Sequence, residues 1–378
     1  MEAIMKKLIA ITLTMVMVLA MFAGCSASGD AAGGDGKYSI GVILYGNTDT
    51  LGGRIYSLLN DAAEALDCEI TFALGDYDTT AQITSAENLI AAGVDGIICL
   101  PLAETTSQKL SQVCAENKVY FGLLLRTMTD ATIDAEVRAN PYFVGNILGD
   151  DMGNAKELTR ILMEEYGCKN LCTYYAPEGS SMALRNDGIK AAIAEFGGKQ
   201  LSEATTPSDS NMAPVAGVMQ NFVNTNADFQ GIVSAAGSSG IGDTIGATLQ
   251  SMNVEGAKYA CFDTYDGMID SFKSGYLAVV CGGQAPAATY LFSMLYNAMD
   301  GHKLTESGEE LLMTYMFIRS AEEAQNFLDY IDNPEVDIYS PEEIKNMTVR
   351  HNSDFNWEAL QKVMADYTYE NIISKLAK

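Results

Sequence analysis

From Tyr38 onward, short apolar runs rich in β-branched residues alternate with longer stretches whose apolar positions repeat at helical spacing. This alternation predicts an α/β fold with parallel sheets. The strands predicted in the first half span residues 39–44, 69–73, 96–100, 120–125 and 142–145. Those predicted in the second half span residues 171–175, 200–205, 231–235, 259–262 and 278–281. Because the same succession of elements occurs twice, we expect two doubly wound parallel-sheet lobes.

Helical patterns connect these strands. They span residues 51–66, 80–92, 105–116, 148–166, 182–196, 214–224, 242–252 and 268–274. The strand at 96–100 is apolar throughout, which is typical of a sheet covered by helices on both faces. Ligands of such sheets bind beyond the carboxyl ends of the strands, so two facing lobes would enclose a cleft there. Residues directly after each strand are therefore the candidates for function.

The N-terminal segment has the pattern of an export signal. Lys6 and Lys7 precede an almost wholly apolar run over residues 8–22, which is shorter than the roughly 20 residues of a membrane-spanning helix. The small residues before Cys25 predict that residues 1–24 are cleaved off as a lipoprotein signal peptide. The block at 22–25 resembles a lipobox, in which a lipid is attached to the cysteine thiol. An ordinary cleaved signal is the alternative.

The predicted lipid on Cys25 would anchor the chain to the cell membrane on its extracytoplasmic side. Residues 25–37 are rich in Ser, Ala, Gly and Asp and lack apolar periodicity, which predicts a flexible tether. Met5 directly precedes the two lysines, so the sequence leaves the start codon open between Met1 and Met5.

Composition narrows the function classes. The formal net charge of −26 argues against nucleic acid and anionic lipid headgroups as partners. Of the 8 cysteines, those other than Cys25 are odd in number, and we interpret most of them as small core residues. With only His302 and His351 in the sequence, neither a metal site nor a cofactor is predicted. The scarcity of histidine also leaves no base for a serine or cysteine nucleophile, which argues against an enzyme.

A series of short motifs runs along the chain. Each motif alone is weakly specific, but their order and spacing together are specific. The series comprises IGV at 40–42, AAGVDGII at 91–98, RNDG at 185–188, VMQNF at 218–222, FD at 262–263, GYLA at 275–278 and Gln284. Over residues 38–320 the chain thereby resembles the type I periplasmic binding proteins, especially the ribose-binding-like solute-binding proteins of ABC transporters. The resemblance implies capture of a sugar, a sugar acid or a related small polar metabolite and its delivery to an ABC permease. It requires no catalysis, and we expect a monomer.

The resemblance also implies how the lobes are divided. In this family the chain crosses between the lobes three times, so each lobe combines separate segments. Carried over, the first lobe takes residues 38–142 and 285–310, and the second lobe takes residues 143–284 and 311–330. The lobes would close on the ligand by a hinge motion.

Four residues match binding positions of the family. Arg126 and Arg185 fall where the family has arginines that donate to ligand oxygens, and Asp263 falls where an aspartate accepts from ligand hydroxyls. Gln284 matches a glutamine at the hinge. The chemistry fits, because a guanidinium offers a planar fork of donors and a carboxylate accepts from two hydroxyls. For the arginines, a solvated charge at a strand end or on a helix is the alternative.

Two further residues of the first lobe are candidates. Asp49, in the loop after the first strand, matches a polar family position, although capping of the following helix would also explain it. Tyr45, like Tyr175 and Tyr265, ends or follows a predicted strand and would offer an aromatic face to the ligand. Core packing is the alternative for each tyrosine.

The chain departs from the sugar-binding members of the family at several positions. Leu125 stands where they have an aspartate, and residues 236–237 are Ala-Gly where they have Asn-Asp. Their stacking aromatic rings align with residues 51–52 and with about position 210, which are not aromatic here. Because both arginines are retained beside fewer carboxylates, a ligand rich in acceptors, such as a sugar acid, is a further hypothesis.

Two rival functions follow from other features. The glycine-rich loop from Gly237 to Gly246 follows a strand and opens a helix, as in dinucleotide-binding enzymes, but its spacing fits no standard fingerprint. The same fold also serves receptors that report a ligand to a membrane sensor kinase, and the sequence leaves this alternative open.

Residues 331–378 extend beyond the usual end of the family. The segment 340–343, Ser-Pro-Glu-Glu, predicts a helix start, and an amphipathic run follows around 357–376. We expect this C-terminal extension to pack against the second lobe, with a partner-docking surface as the alternative.

Overall fold

The computed structural model describes residues 37–75, 77–178, 180–206, 214–238, 240–306 and 308–377. The predicted signal peptide, Cys25 and the tether up to residue 36 lie outside the described residues, as does position 210. None of the helices in these ranges is long and apolar enough to cross a membrane.

Two six-stranded sheets organise the described residues. The first contains β1 (Ser39–Leu44), β2 (Glu69–Leu74), β3 (Gly96–Cys99), β4 (Tyr120–Leu124), β5 (Phe143–Gly149) and β11 (Glu310–Met313), in the spatial order β11-β5-β4-β3-β1-β2. The second contains β6 (Asn170–Tyr175), β7 (Lys199–Thr205), β8 (Gly231–Ser234), β9 (Lys258–Phe262), β10 (Leu277–Gly282) and β12 (Met316–Ile318), in the order β12-β10-β9-β8-β6-β7. Neighbouring strands are parallel, except that β12 is antiparallel to β10. The prediction of two doubly wound parallel sheets is thereby confirmed.

Helices follow almost every strand. They are α1 (Thr50–Ala65), α2 (Thr79–Ala91), α3 (Glu104–Asn117), α4 (Ala131–Arg138), α5 (Asp151–Glu164), α6 (Ala183–Glu195), α7 (Val215–Thr225), α8 (Ile241–Ser251), α9 (Met268–Lys273), α10 (Ala287–Met299), α11 (Ala321–Asn326), α12 (Pro341–Asn346), α13 (Trp357–Ala365) and α14 (Tyr369–Leu376). A π-helix, Phe327–Ile331, directly continues α11. We refer to the first sheet with α1–α4 and α10 as the first lobe, and to the second sheet with α5–α9 and α11 as the second lobe.

Aspartates determine where several helices begin. Asp49, Asp78, Asp130 and Asp150 accept hydrogen bonds from backbone amides in the first turns of α1, α2, α4 and α5. Each such N-cap satisfies a donor that the helix itself leaves open and typically stabilises it by about 1 kcal/mol. The many acidic residues of this chain therefore include some with a purely local structural function.

The first sheet has a core on each face. Val42 and Leu44 of β1 pack in one hydrophobic cluster with α1 and α10, whereas Ile43 packs in a second cluster with α2, α3 and α4. Successive strand side chains point to opposite faces, so an unbroken apolar strand serves both clusters. All residues of β3 are buried for this reason.

Strands β5 and β11 differ from the expected division of the chain. The boundary after residue 142 placed β5 in the second lobe, but β5 pairs with β4 and β11 in the first sheet. The expected boundary after residue 310 likewise divides β11, although the whole strand belongs to the first sheet. β5 also runs through position 148, where a helix was predicted to begin. Its residues are buried throughout, so the apolar pattern carried no sign of a change from strand to helix.

The C-terminal extension packs mainly on the first lobe, and the expectation that it packs against the second lobe was wrong. Tyr290, Ser293 and Asn297 lie along one face of α10 and form hydrogen bonds with the Tyr339 hydroxyl and the Met347 carbonyl. The physical reason is that α10 is buried along nearly its entire length, and the extension covers the side that is turned away from the sheet. The predicted helix start is confirmed, because a capping box opens α12.

Candidate functional site

A cavity of about 360 Å³ lies between the two lobes and is lined from the carboxyl ends of β1, β4, β9 and β10. All six residues that the sequence predicted to contact a ligand line this cavity. They are Tyr45, Asp49, Arg126, Arg185, Asp263 and Gln284. Side chains that are far apart in the sequence are therefore brought together at the place where strand ends of a doubly wound sheet receive a ligand.

Asp49 combines two functions on the first-lobe side. Its Oδ1 accepts a hydrogen bond of 2.7 Å from the backbone amide of Gly52 and so caps α1. The Tyr45 hydroxyl donates to Oδ2 of Asp49 at 3.0 Å. Burial raises the pKa of Asp49 above its ordinary value, and these two hydrogen bonds oppose that effect. Capping and a position in the cavity are thus compatible, and the carboxylate is fixed before any ligand arrives.

Tyr77 supplies an aromatic face that the sequence analysis did not identify. Its ring lies 5.0 Å from that of Tyr45, centroid to centroid, with the two planes inclined by 31°. Tyr77 is 56% exposed, so one side of this pair remains open to the cavity. It comes shortly after β2, and the rule that residues following a strand are candidates would have included it.

Arg126 is free to meet a ligand. Its Nη1 donates to the carbonyl of Leu125 at 2.8 Å, and no carboxylate within the described ranges forms an ion pair with it. The remaining N–H donors of this partly buried guanidinium are available to acceptors from outside the chain. Arg126 is thus the more exposed of the two arginines that line the cavity.

Arg185 is already paired within the second lobe. Its Nε donates to Oδ1 of Asp151 at 2.7 Å, and its Nη1 lies 3.3 Å from Oδ2 of Asp263 and 3.0 Å from the carbonyl of Ala235. The guanidinium also lies 4.1 Å from the centre of the Phe262 ring. Burial disfavours the charge, but the two carboxylates hold the pKa of Arg185 above its ordinary value.

Asp263 is positioned by its neighbours. Gln284 donates to Oδ1 of Asp263 at 2.9 Å, and Arg185 approaches from the other side. Asp263 has a left-handed backbone with φ of 63°, and Leu125 at the end of β4 has φ of 56°. β4 and β9 occupy the same place in their sheets, so the two lobes present matching strained residues to the cleft.

A second cavity of about 500 Å³ adjoins the first. The residues that line both cavities are Asp49, Ser238, Thr264 and Asp332. Tyr265 lines the second cavity and has its hydroxyl 2.7 Å from that of Tyr259. Tyr175 is buried in the core of the second lobe, and it lines neither of these two cavities as far as the described residues define them.

Asp332 is the other cavity residue that sequence reasoning missed. It directly follows the π-helix, and its Oδ2 accepts a hydrogen bond of 2.6 Å from the Thr264 hydroxyl. Burial raises the pKa of Asp332 to about 6, although the Thr264 hydrogen bond and the charge of Arg54 oppose the rise. No signal pointed to it, because the residue lies in the extension, outside the family pattern.

The glycine-rich loop serves packing within the second lobe. A Cβ atom at Gly237 would lie 2.5 Å from the Phe262 carbonyl oxygen, and one at Gly242 would lie 2.4 Å from the Tyr265 ring. Both distances are shorter than atoms tolerate, so only glycine lets the loop and α8 approach the end of β9 this closely. Ser239 of this loop lies outside the described residues.

The cysteine and acidic residues of the described ranges do not form a metal centre. No group of His, Cys, Asp and Glu side chains in those ranges is arranged to hold an ion. The cysteines found there are free and buried. Burial raises the pKa of their thiols, which keeps them protonated and poorly reactive.

A family model described as the periplasmic binding protein domain matches residues 40–303, more than half of the 378-residue chain. A search of curated protein sequences found no match.

Solved structures of transporter proteins share the fold. An ABC transporter solute-binding protein from Bacillus halodurans C-125 with bound myo-inositol is 18% identical, with a TM-score of 0.63 over 79% of this chain and 99% of that one. One from Agrobacterium vitis with α-D-tagatopyranose is 20% identical, with a TM-score of 0.65 over 78% and 97%. One from Actinobacillus succinogenes 130z with D-allose is 16% identical, with a TM-score of 0.66 over 77% and 100%.

Proposed function

The chain belongs to the periplasmic binding protein domain family, and on this premise we propose that it binds a carbohydrate or a related polyol and delivers it to an ABC permease. The matched family and the similar structures consist of solute-binding proteins and not of enzymes. The observation that supports the proposed ligand site most strongly is that all six predicted contact residues line one cavity between the lobes.

The cavity offers the groups that a polyhydroxylated ligand requires. The tilted pair Tyr45 and Tyr77 presents an apolar ring face. Arg126 donates hydrogen bonds, whereas the carboxylates of Asp49 and Asp263 accept them. The hydroxyl groups of a sugar or polyol both donate and accept hydrogen bonds, and its C–H groups form apolar faces. Such a ligand therefore matches this combination of groups.

The sugar-acid hypothesis depended on two arginines that would bind a ligand carboxylate, and only one of them is available to do so. Arg185 already has Asp151 and Asp263 as partners, so its charge is neutralised before a ligand enters. Arg126 alone remains to meet a ligand carboxylate. Neutral sugars and polyols are therefore the first choice, in keeping with the myo-inositol, tagatopyranose and allose in the three similar structures.

Export and anchoring complete the proposal. The signal pattern, the lipobox-like block before Cys25 and the tether would place the binding lobes outside the cytoplasm and beside the permease. Closure of the lobes around the ligand would then give the permease a shape that differs from the empty form.

A thermal-shift screen of the purified mature chain tests the proposed ligand class. The panel contains neutral sugars, polyols, sugar acids and nucleosides at matched concentration. A compound that binds only the folded state raises the melting temperature, and we expect such a rise with a neutral sugar or polyol. A rise confined to sugar acids would contradict the neutral-ligand proposal, and no rise with any compound would contradict the binding function itself.

Uptake of the stabilising compound then tests transport. Cells that lack the gene should lose uptake of the radiolabelled compound at low concentration and regain it when the gene is restored. Unchanged uptake, together with a lost transcriptional response to the compound, would instead identify the sensor-kinase alternative.

A further inference from the structure

Within the described residues the chain passes between the lobes four times. Three passages follow β5, β10 and β11 and occupy residues 149–150, 283–286 and 314–315. The fourth is formed by the π-helix and the residue after it. It begins at α11, which packs on α9 of the second lobe, and leads into the extension, whose helix α12 packs on α1 of the first lobe.

Arg54 holds the far end of this fourth passage. This residue of α1 is buried, and its Nε donates to the Ile331 carbonyl at 2.8 Å. Its Nη2 donates to the Val336 carbonyl at 2.7 Å. Two hydrogen bonds from one buried guanidinium therefore fix residues 331–336 to the first lobe.

Asp332 reaches back from this fixed segment to the second lobe. Its Oδ2 accepts the hydrogen bond of 2.6 Å from Thr264, which directly follows Asp263 at the end of β9. Both partners line the two cavities. The bond thus spans the cleft and lies beside a residue of the proposed ligand site.

Tyr367 packs the extension against the passage that follows β10. This buried tyrosine follows α13, and its hydroxyl oxygen would lie 3.5 Å from a Cβ atom placed at Gly283. The same Cβ position lies 3.4 Å from Cγ of Met316, at the start of β12. The extension therefore packs against a segment that must bend when the lobes move.

We propose that the C-terminal extension is a fourth interlobe connection that limits how far the cleft opens, and that Asp332 is the positioning residue through which it acts. Separation of the lobes carries Thr264 away while Arg54 retains residues 331–336. Opening must therefore break the hydrogen bond between Asp332 and Thr264 or pull the extension from the first lobe. The inference rests on the proposed function only in assuming that the lobes move.

Distances between the lobes in the ligand-free protein test this connection. Spin labels at Glu116→Cys on α3 and Gln220→Cys on α7, both exposed positions, report the separation by pulsed electron paramagnetic resonance. The labels are introduced into the full mature chain with Cys25→Ser, where the remaining described cysteines are buried. Thr264→Val and Asp332→Leu remove the hydrogen bond at similar volume. Thr264→Ser and Asp332→Asn retain a donor and an acceptor and serve as matched controls.

We expect Thr264→Val and Asp332→Leu to shift the main distance to longer values and to broaden its distribution, whereas both controls keep the wild-type distribution. Circular dichroism confirms that each variant is folded. A wild-type distribution in all four variants would overturn the connection, even if a sugar shortens the distance as the proposed function requires. Conversely, a shift in the two bond-deleting variants would support the connection, even if no compound of the ligand panel binds.

Discussion

Arg126 and Arg185 line the same cavity, yet their guanidinium groups have different partners. Arg185 is buried between Asp151 and Asp263, whereas Arg126 bonds only its neighbour's carbonyl and no carboxylate in the described ranges. The position of Arg126 after a strand and that of Arg185 on a helix were predicted from the sequence. Their pairing was not, because Asp151 has no recognisable motif and is brought to Arg185 only by the fold.

Replacing Arg126 with Ala should weaken ligand binding strongly. Loss of hydrogen bonds from a charged donor costs about 1.5–3 kcal/mol, which corresponds to roughly 10- to 100-fold in affinity. Isothermal titration with the compound found in the thermal-shift screen measures the effect. Arg160→Ala, in a surface ion network on α5, is the matched control and should leave affinity unchanged. Equal ligand affinities of the two variants would show that Arg126 does not contribute to ligand binding.

Asp151→Asn should destabilise the folded protein by about 3 kcal/mol, because it removes one partner of a buried ion pair and leaves the Arg185 charge undercompensated. Urea unfolding followed by circular dichroism measures the change. Glu157→Gln, in the surface pair with Arg160, should cost at most about 1 kcal/mol. Similar losses for both variants would mean that burial of Arg185 has little energetic consequence.

Asp61 and Asp332 should make stability fall as the pH rises from about 4 to about 6. Burial raises the pKa of each carboxyl to about 6, from an ordinary value of 3.8. Both bind protons more tightly in the folded state, so their contribution is favourable below the unfolded pKa and is lost as the pH passes the folded pKa.

The pair of substitutions Asp61→Asn and Asp332→Asn should therefore stabilise the protein at pH 7 by about 1–3 kcal/mol and flatten this part of the pH profile. Urea unfolding at pH 4, 5, 6 and 7 measures both effects. The two single variants separate the contributions of the two carboxyls to stability. Asp61 lies on α1, and one of its oxygens is buried without a hydrogen-bond partner in the described structure. A profile that keeps its slope in the double variant would contradict the assignment.

At the scale of elements, Gly149 at the end of β5 allows two of the interlobe passages to lie in close contact. A Cβ atom at this last residue of β5 would lie 2.0 Å from the Tyr315 ring, which sits in the passage between β11 and β12. The two interlobe passages therefore touch through a glycine and a tyrosine.

Gly149→Ala should destabilise the protein by about 1–3 kcal/mol, because the added methyl group forces Tyr315 or the strand to move. Gly217→Ala is the matched control. It lies at an exposed position of α7, where a Cβ atom meets nothing within 4 Å, and should stabilise the protein by about 0.5–1 kcal/mol. Melting temperatures of the two variants should shift in opposite directions. A neutral Gly149→Ala would mean that the Tyr315 side chain relaxes without cost.

Most strands were predictable because they are apolar runs of typical length, although β7 is largely polar. Five of the six cavity residues follow strands, whereas Arg185 lies on α6 and was identified by the family resemblance. Two elements that were not predicted, β11 and α4, lack such signals. β11 has an exposed leucine within four residues, and α4 is short with a single buried residue. The placement of the extension was wrong because its apolar positions fit either lobe equally well in sequence. The side of α10 that is turned away from the sheet, and that the extension covers, decides between them.

At the scale of the whole molecule, the binding lobes and the proposed anchor make separate contributions. If the proposed lipid is the anchor, Cys25→Ser should move the protein from the membrane fraction to the soluble fraction. No helix in the described residues is long and apolar enough to cross a membrane. Fractionation and immunoblotting measure the distribution, and ligand affinity of the released protein should equal that of the mature wild type. A variant that stays with the membrane would contradict lipid attachment at Cys25.

Completion of the first sheet by β11, and burial of α10 beneath the extension, have a consequence for the order in which the protein can fold. If the chain is exported from its N-terminus, as proposed, β1 to β5 emerge well before α10 and β11, so the first lobe would lack its core helix and edge strand until late in export. Such long-range pairing slows folding. The early segments would remain unfolded during translocation, and trapping a partly exported chain should yield a protease-sensitive first lobe.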